Sequence, residues 1–173
     1  MIKKILRIKN VGKNIFICGD IDFSADIKSY MTENNVLLFR FINPANISDF
    51  DKKNIDLLIL GECKKYVKNL DIACLGNIKS VLLNIENLRG LNCSDKNAQI
   101  ITCGLKEKDT AIFSSINLDE GSVIFDLQRS VKNINGETVE PFEKQIVIPE
   151  AVKKESSEDL ILSLTALMLC GEI

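Results

Sequence analysis

Three carboxylates stand where two predicted strands end, and they are the residues best suited to chemistry. Asp20 and Asp22 follow an apolar run, and Glu62 follows a second one. In open α/β sheets, ligands bind beyond the carboxyl ends of the strands. Carboxylate oxygens also suit hard divalent cations, so these three residues are candidate metal ligands. The candidate ligand-binding residues are Gly19, Asp20, Asp22, Ser24 and Glu62.

The same carboxylates have simpler structural explanations. Asp20 and Asp22 can turn the chain and cap a helix, because Asp is common at helix starts. Glu62 can be an exposed loop residue. Cys63 lies beside Lys64 and Lys65, whose charges favour a thiolate. However, the chain contains no histidine to act as a base, so we expect no catalytic residue.

Composition excludes several classes of function. The 173 residues are 46% hydrophobic and 27% charged, as in an ordinary globular protein. The net charge of −2 argues against binding to nucleic acid or to an anionic membrane. No apolar run approaches the ~20 residues of a membrane-spanning helix, and charges interrupt the N-terminus, MIKKILRIKN, as a signal peptide. We expect a cytoplasmic protein that binds neither nucleic acid nor membrane.

The six cysteines are scattered along the chain without a C-x-x-C pair. With no histidine available, they do not form a familiar zinc motif. Most have apolar neighbours, as expected for free, buried thiols in a reducing compartment. The sequence therefore implies no cofactor.

Strands alternating with helical or loop crossovers would position the candidate residues. Apolar runs predict strands at residues 14–18, 36–42, 56–60, 80–85 and 99–103. Helical spacing predicts a helix at residues 22–34, with weaker signals at 47–53 and 62–70. Strands that are apolar on both faces indicate a Rossmann-like α/β fold, in which helices cover both faces of a mostly parallel sheet.

The pattern changes after Gly104. The segment ITCGLKEKDTAIFSS at residues 101–115 predicts a buried strand, a Gly turn, a charged solvent loop and a second strand. Antiparallel strands are predicted at residues 110–116, 122–127 and 145–148, with turns at 119–121 and 135–136. An apolar helix follows at 158–170, with Ser156 or Ser157 as its N-cap. We expect a single domain over residues 1–173, with an α/β part at 1–104 and a β-meander plus closing helix at 105–173.

Four blocks follow one another along the chain, at residues 15–27, 56–62, 81–89 and from ITCGL at residue 101 onward. Their order resembles that in the central, ATP-binding domain of the Mur ligases, the amide-bond-forming enzymes of peptidoglycan precursor synthesis. Residues 15–27 resemble a strand, glycine and helix at the position of the family's ATP-binding loop. Residues 56–62, DLLILGE, resemble the strand that carries a metal-associated glutamate. Residues 81–89, VLLNIENLR, resemble a V-L-N-x-D-D passage. The stretch from ITCGL onward resembles the strand, glycine, β-strands and Ala- and Leu-rich helix of that domain, and this block is the most specific.

The chain departs from this family at its nucleotide-binding loop. Such a loop uses several glycines and a Lys-Ser/Thr pair to bind phosphate and magnesium. Residues 19–24 hold one glycine, no lysine and two carboxylates. The family's histidine is also missing, and Asp159 stands where an Asn is usual. The resemblance therefore implies a degenerate P-loop, and we expect no ATP-dependent ligase activity.

Three functions fit these observations. The first is a non-catalytic Mur ligase-like module that serves as a binding or regulatory protein, with a possible link to the cell wall. The alternative is a small metal-dependent enzyme or ligand binder that uses the carboxylates at the strand ends. A third is an interaction protein whose exposed hairpins, at residues 122–148, dock a protein partner or a second copy.

Overall fold

The fold is described from a computed structural model over residues 13–18, 39–42, 54–61, 70–71, 77–84, 91–92, 97–148 and 156–171. Within these ranges the chain forms strands and, near its end, a helix. The strands are β1 (Ile15–Cys18), β2 (Phe39–Ile42), β3 (Ile55–Leu60), β4 (Leu70–Asp71), β5 (Ile78–Asn84), β6 (Leu91–Asn92), β7 (Gln99–Gly104), β8 (Ala111–Asn117), β9 (Ser122–Leu127), β10 (Val131–Lys132), β11 (Thr138–Val139) and β12 (Phe142–Val147). The helix is α1 (Ser157–Leu169).

The main sheet has eight strands in the order β2-β1-β3-β5-β7-β8-β9-β12. The six strands from β2 to β8 run parallel, whereas β9 is antiparallel to both β8 and β12. This confirms an α/β fold with a mostly parallel sheet, followed by antiparallel strands and a closing helix. Two small sheets accompany it: β4 with β6, and β10 with β11.

The antiparallel strands extend the parallel sheet instead of forming a separate one. β8 pairs with β7 only through Cys103–Ala111 and Gly104–Ile112, and then continues past the end of β7. The predicted change to antiparallel pairing therefore falls between β8 and β9, one strand later than expected. The predicted turns are confirmed by Gly121 and Gly136, whose φ angles of 68° and 85° suit glycine.

The central strands are buried on both faces, which explains why they are parallel. On β3, Leu57 and Ile59 face the core that contains α1. The alternate residues Leu58 and Leu60 point the other way and are also buried. A strand apolar on both faces needs cover on both sides, and crossover connections supply that cover in parallel sheets. The predicted helices at residues 22–34 and 47–53 lie outside the described residues, as do residues 62–69 of the third, whereas Leu70, its predicted last residue, begins strand β4.

Helix α1 closes the fold and is capped by Ser156, one of the two predicted caps. The Ser156 Oγ atom accepts a hydrogen bond from the Asp159 N–H at 3.1 Å and donates one to the Asp159 carboxylate at 2.8 Å. All residues from 160 to 169 are buried, and the helix packs against β5, β7 and β8. A helix that is apolar on all sides belongs inside a core. No helix in the described ranges is long and apolar enough to span a membrane.

A buried carboxylate joins the starts of three parallel strands. Asp56 on β3 is only 6% exposed. Its Oδ2 atom accepts a hydrogen bond from the Asn14 N–H at 2.8 Å, and its Oδ1 atom accepts one from Lys79 Nζ at 2.7 Å. Burial by itself raises the pKa of Asp56. The hydrogen bonds from Lys79 and Asn14, with the charges of Lys79 and Lys13, outweigh burial and hold that pKa below its ordinary value of 3.8.

Replacing Asp56 with Asn should lower the free energy of unfolding at neutral pH by about 1 to 3 kcal/mol, because Lys79 loses its acceptor charge. Since the folded-state pKa is lowered, the ionised carboxylate stabilises the fold above its unfolded pKa. That stabilisation is lost as the pH falls through the folded-state pKa. Urea denaturation from about pH 7 to about pH 2 should therefore show the gap between wild type and Asp56→Asn closing on acidification.

The matched control is Asp119→Asn, which makes the same change at an exposed turn. We expect it to leave the free energy of unfolding unchanged. A gap of constant size across the pH range, or an equal loss in the control, would show that the Asp56 carboxylate does not stabilise the fold by its charge.

Candidate functional site

The order of the parallel strands creates a switch point between β1 and β3. From β1 the chain moves to β2 on one side, then returns to β3 on the other side of β1. β1 and β3 pair in parallel with Cys18 opposite Leu60, so they end side by side. Open α/β sheets bind ligands in the crevice at such a reversal, beyond the carboxyl ends of the strands.

The segments that leave these two strand ends carry the residues predicted from the sequence. The structure brings together the ends of β1 and β3, and Gly61 after β3 is buried. The candidate residues Gly19, Asp20, Asp22, Ser24 and Glu62 all lie outside the described residues. Both their shared location at the switch point and the arrangement of their side chains therefore stay predictions.

Two polar residues at the same edge were missed by sequence reasoning. Asn84 ends β5, is buried, and pairs in register with Cys103 at the end of β7. Asp109 follows β7 in the loop before β8. A strand that ends in a polar residue, as in VLLN, is the signal by which Asn84 could have been found. Asp109 gave no such signal, because it follows three residues that include two lysines and a glutamate.

The loop at residues 105–110 is only partly the solvent loop that was predicted. Residues 105–108 are exposed, but Asp109 is 0% exposed. Its Oδ2 atom accepts a hydrogen bond from the Lys106 N–H at 3.3 Å. Its Oδ1 atom has no hydrogen-bond partner in the part of the chain that is described. A buried carboxylate oxygen without a partner is unusual, because burial then removes its hydration without replacement.

Neighbouring strands hold this loop in place. The Thr110 N–H donates to the carbonyl of Thr102 at 2.9 Å, and the Gln128 N–H donates to the carbonyl of Thr110 at 2.9 Å. With its carboxamide turned to match its surroundings, Gln128 also donates to the carbonyls of Glu107 and Asp109, at 2.7 and 3.2 Å. The protein's own loop therefore occupies the carboxyl end of β7.

Cys103 is next to this carboxylate but is unsuited to nucleophilic chemistry. Burial raises the pKa of the Cys103 thiol far above its ordinary value, and the negative charge of Asp109 raises it further. A hydrogen bond with Thr165 acts in the opposite direction but is outweighed. A thiol without access to its thiolate form is inert. Cys103 and Cys170 are buried thiols that form no disulfide within the described residues, as the sequence predicted, whereas Cys63 lies outside those residues.

A methyl group at position 104 would disturb the buried carboxylate. A Cβ atom built on Gly104 would lie 2.5 Å from Asp109 Oδ2 and 3.3 Å from its Cγ. Gly104→Ala should therefore lower the free energy of unfolding by about 1 to 3 kcal/mol, as overpacking does. Chemical denaturation of Gly104→Ala, Asp109→Ala and the double variant measures the coupling between positions 104 and 109.

The decisive comparison repeats Gly104→Ala in an Asp109→Ala background. There the added methyl group meets no carboxylate, so the same substitution should cost less than about 1 kcal/mol. An equal cost in both backgrounds would place the effect in the backbone of Gly104 and not in its contact with Asp109.

Across the described residues, no three His, Cys, Asp or Glu side chains are grouped so as to hold a metal ion. At the carboxyl ends of the parallel strands, the described residues thus form a switch point between β1 and β3, and a loop after β7 that hydrogen bonds hold in place. Comparison of the chain with protein-family models, with curated proteins and with solved structures finds no match. The resemblance to the Mur ligases stays a prediction.

Proposed function

We propose that this protein is a non-catalytic binding or regulatory module on a Mur ligase-like scaffold, with its ligand site at the switch point. The observation that carries the proposal is the side-by-side ending of β1 and β3 at the reversal of strand order. Gly19 and Gly61 follow directly after these two strands. Glycines at strand ends let a ligand approach the backbone closely.

The scaffold part of the proposal rests on the order of the elements. A parallel sheet, a glycine-ended strand, antiparallel strands and a buried helix follow one another in the order that suggested the Mur ligase central domain. In this proposal, crossover helices cover both faces of the sheet, because β3 and β5 carry buried apolar residues on both. A role linked to the cell wall is the functional context that the scaffold suggests.

The non-catalytic part of the proposal rests on charge. Phosphoryl transfer requires positive groups around the transferred phosphate. The segment after β1 instead offers Asp20 and Asp22, without a lysine. Further along the same carboxyl edge, after β7, the carboxylate of Asp109 is buried beside Gly104. These negative groups disfavour a triphosphate at this edge of the sheet.

Calorimetric titration with Mg-ATP tests this proposal directly. We expect no binding with a Kd below about 1 mM, a value that corresponds to a binding free energy of about −4 kcal/mol. The titration should be repeated with ADP and with Mg²⁺ alone, so that a metal effect is not mistaken for nucleotide binding. Saturable binding of Mg-ATP in the micromolar range, or ATP hydrolysis above the buffer rate, would refute a degenerate nucleotide loop.

A regulatory module also needs a surface for a partner. Strand β12 lies at one end of the sheet, and its Val147 side chain is 73% exposed. The hairpins at residues 122–148 are thus the proposed surface for a protein partner or a second copy. Size-exclusion chromatography with light scattering distinguishes a protein partner from a second copy, because only self-association changes the mass of the purified protein.

A second candidate function is metal-dependent ligand binding or catalysis by Asp20, Asp22 and Glu62. It is favoured by the register of β1 and β3, which pairs Cys18 with Leu60. The segments that carry Asp20, Asp22 and Glu62 therefore leave the sheet from neighbouring strand ends. Oxygen ligands from two adjacent segments are a common way to hold Mg²⁺ or Ca²⁺. In this candidate the metal would position an anionic ligand at the switch point.

Thermal unfolding in the presence of Mg²⁺, Mn²⁺ or Ca²⁺ tests the second candidate. An ion at about 100 times its Kd should stabilise the fold by about 2.7 kcal/mol, which raises Tm by roughly 5 to 10 °C for a chain of this size. Asp20→Asn should abolish the rise, and Asp119→Asn should leave it intact. An unchanged Tm with all three ions would rule out this candidate and leave the metal-free binding module standing.

A further inference from the structure

A groove of about 690 Å³ opens at the amino ends of the parallel strands, at the edge opposite to the switch point. One wall is built from the starts of β3, β5 and β7, and the other from the β10–β11 hairpin. Its volume lies in the range of small-molecule sites. The residues that carry chemistry in this groove are Asp56, Asn77, Lys79, Gln99, Lys132 and Asn135.

The hairpin wall is fixed to the body of the protein. The Gln99 side chain binds the backbone of Lys132 twice, donating to its carbonyl at 3.0 Å and accepting from its N–H at 2.8 Å. The Ile134 N–H donates to the carbonyl of Leu169 at the end of α1, at 3.0 Å. Lys13 Nζ donates to the carbonyl of Ile134 at 2.8 Å. A groove with both walls anchored needs little ordering when a ligand binds.

The turn of the hairpin is also organised from within. Asn133 is buried, and its Oδ1 atom accepts hydrogen bonds from the N–H groups of Asn135 and Glu137, at 2.9 and 3.0 Å. Gly136 adopts a φ of 85° and donates to the carbonyl of Asn133 at 2.9 Å. The position of Asn135 at the groove is therefore fixed by the turn and does not depend on a ligand.

The charge of the groove is positive. Asp56 is the one carboxylate among its lining residues, and both of its oxygens already accept hydrogen bonds from Asn14 and Lys79. The Lys79 side chain is 64% exposed, and an ammonium group has three donors, of which Asp56 takes one. Lys132 adds a second ammonium group on the opposite wall and makes no side-chain bond within the described ranges.

We propose that this groove binds a small organic anion whose remaining surface carries hydroxyl or amide groups. The carboxylate or phosphate of the ligand binds between Lys79 and Lys132, because charge-assisted hydrogen bonds are the strongest polar contacts available there. The carboxamides of Asn77 and Asn135 offer donors and acceptors to the uncharged part of the ligand. This site is separate from the switch point and does not depend on the function proposed for it.

Titration of ¹⁵N-labelled protein with inorganic phosphate, citrate and glucose 6-phosphate tests the site by NMR. At least one of these anions should produce saturable shifts at the amides of Lys132, Asn135 and Gly136. Glucose, which lacks the charge, should bind at least about tenfold more weakly than glucose 6-phosphate. Comparison of phosphate with citrate shows whether the site prefers a phosphate or a carboxylate as the anionic group of its ligand.

Lys132→Gln should weaken anion binding by about tenfold or more, since it removes one charge-assisted contact. The matched control is Lys144→Gln, which removes the same charge from exposed strand β12. We expect the control to change the Kd by less than about twofold. Far-UV circular dichroism and the spectra of the free variants show that both remain folded.

Three results would overturn the groove site. One is the absence of saturable shifts with all three anions, and another is an equal loss of affinity in Lys132→Gln and Lys144→Gln, which would indicate general charge attraction. The third is a set of shifts at Gly61 without shifts at Gly136, which would place the ligand at the switch point. That last result would support the ligand site proposed at the switch point and would rule out the groove as the site of anion binding.

Discussion

The burial of helix α1 on every side is the constraint on which the rest of the fold depends. A helix of ten consecutive buried residues cannot lie on a surface, so the chain has to supply cover beyond the parallel sheet. The extension by β8, β9 and β12 supplies part of that cover, through core residues such as Phe125 and the packed ring of Phe142. The β10–β11 hairpin satisfies the Leu169 carbonyl in the last turn. The need to enclose α1 thus determines where the β8-β9-β12 extension and the β10–β11 hairpin lie.

The two edges of the parallel sheet differ as a consequence. At the carboxyl edge, β8 continues past β7, and the loop between them buries Asp109 against Gly104. At the amino edge, the hairpin that closes the core stands apart from the strand starts and leaves a polar groove. The switch point between β1 and β3 lies away from both features along the sheet. The groove therefore has an excess of ammonium groups, whereas the site proposed at the switch point would be rich in carboxylates.

The sequence predicted the main strands and the closing helix well, because runs such as DLLIL and SVLLNI contain at least three consecutive apolar residues. It could not predict which strands are neighbours, since apolar runs say nothing about pairing partners. The two-residue strands β10 and β11 have no periodicity to detect. Asp109 was predicted to face solvent because its neighbours are charged, and the sequence does not reveal its close approach to Gly104. The five candidate site residues stay predictions, although the strand ends before them lie together as expected.

The carboxylate of Asp56 has a consequence for how the strands find their alignment. A one-residue slip of a strand exchanges its two faces, and the sequence pattern normally forbids this because one face is polar. β3 is apolar on both faces, so its hydrophobic residues alone penalise such a slip only weakly. Slipping β3 would pull Asp56 away from the Asn14 N–H and Lys79, and would leave a buried charge without partners. One ion pair at the sheet's amino edge thus selects a single alignment that hydrophobic burial cannot select by itself.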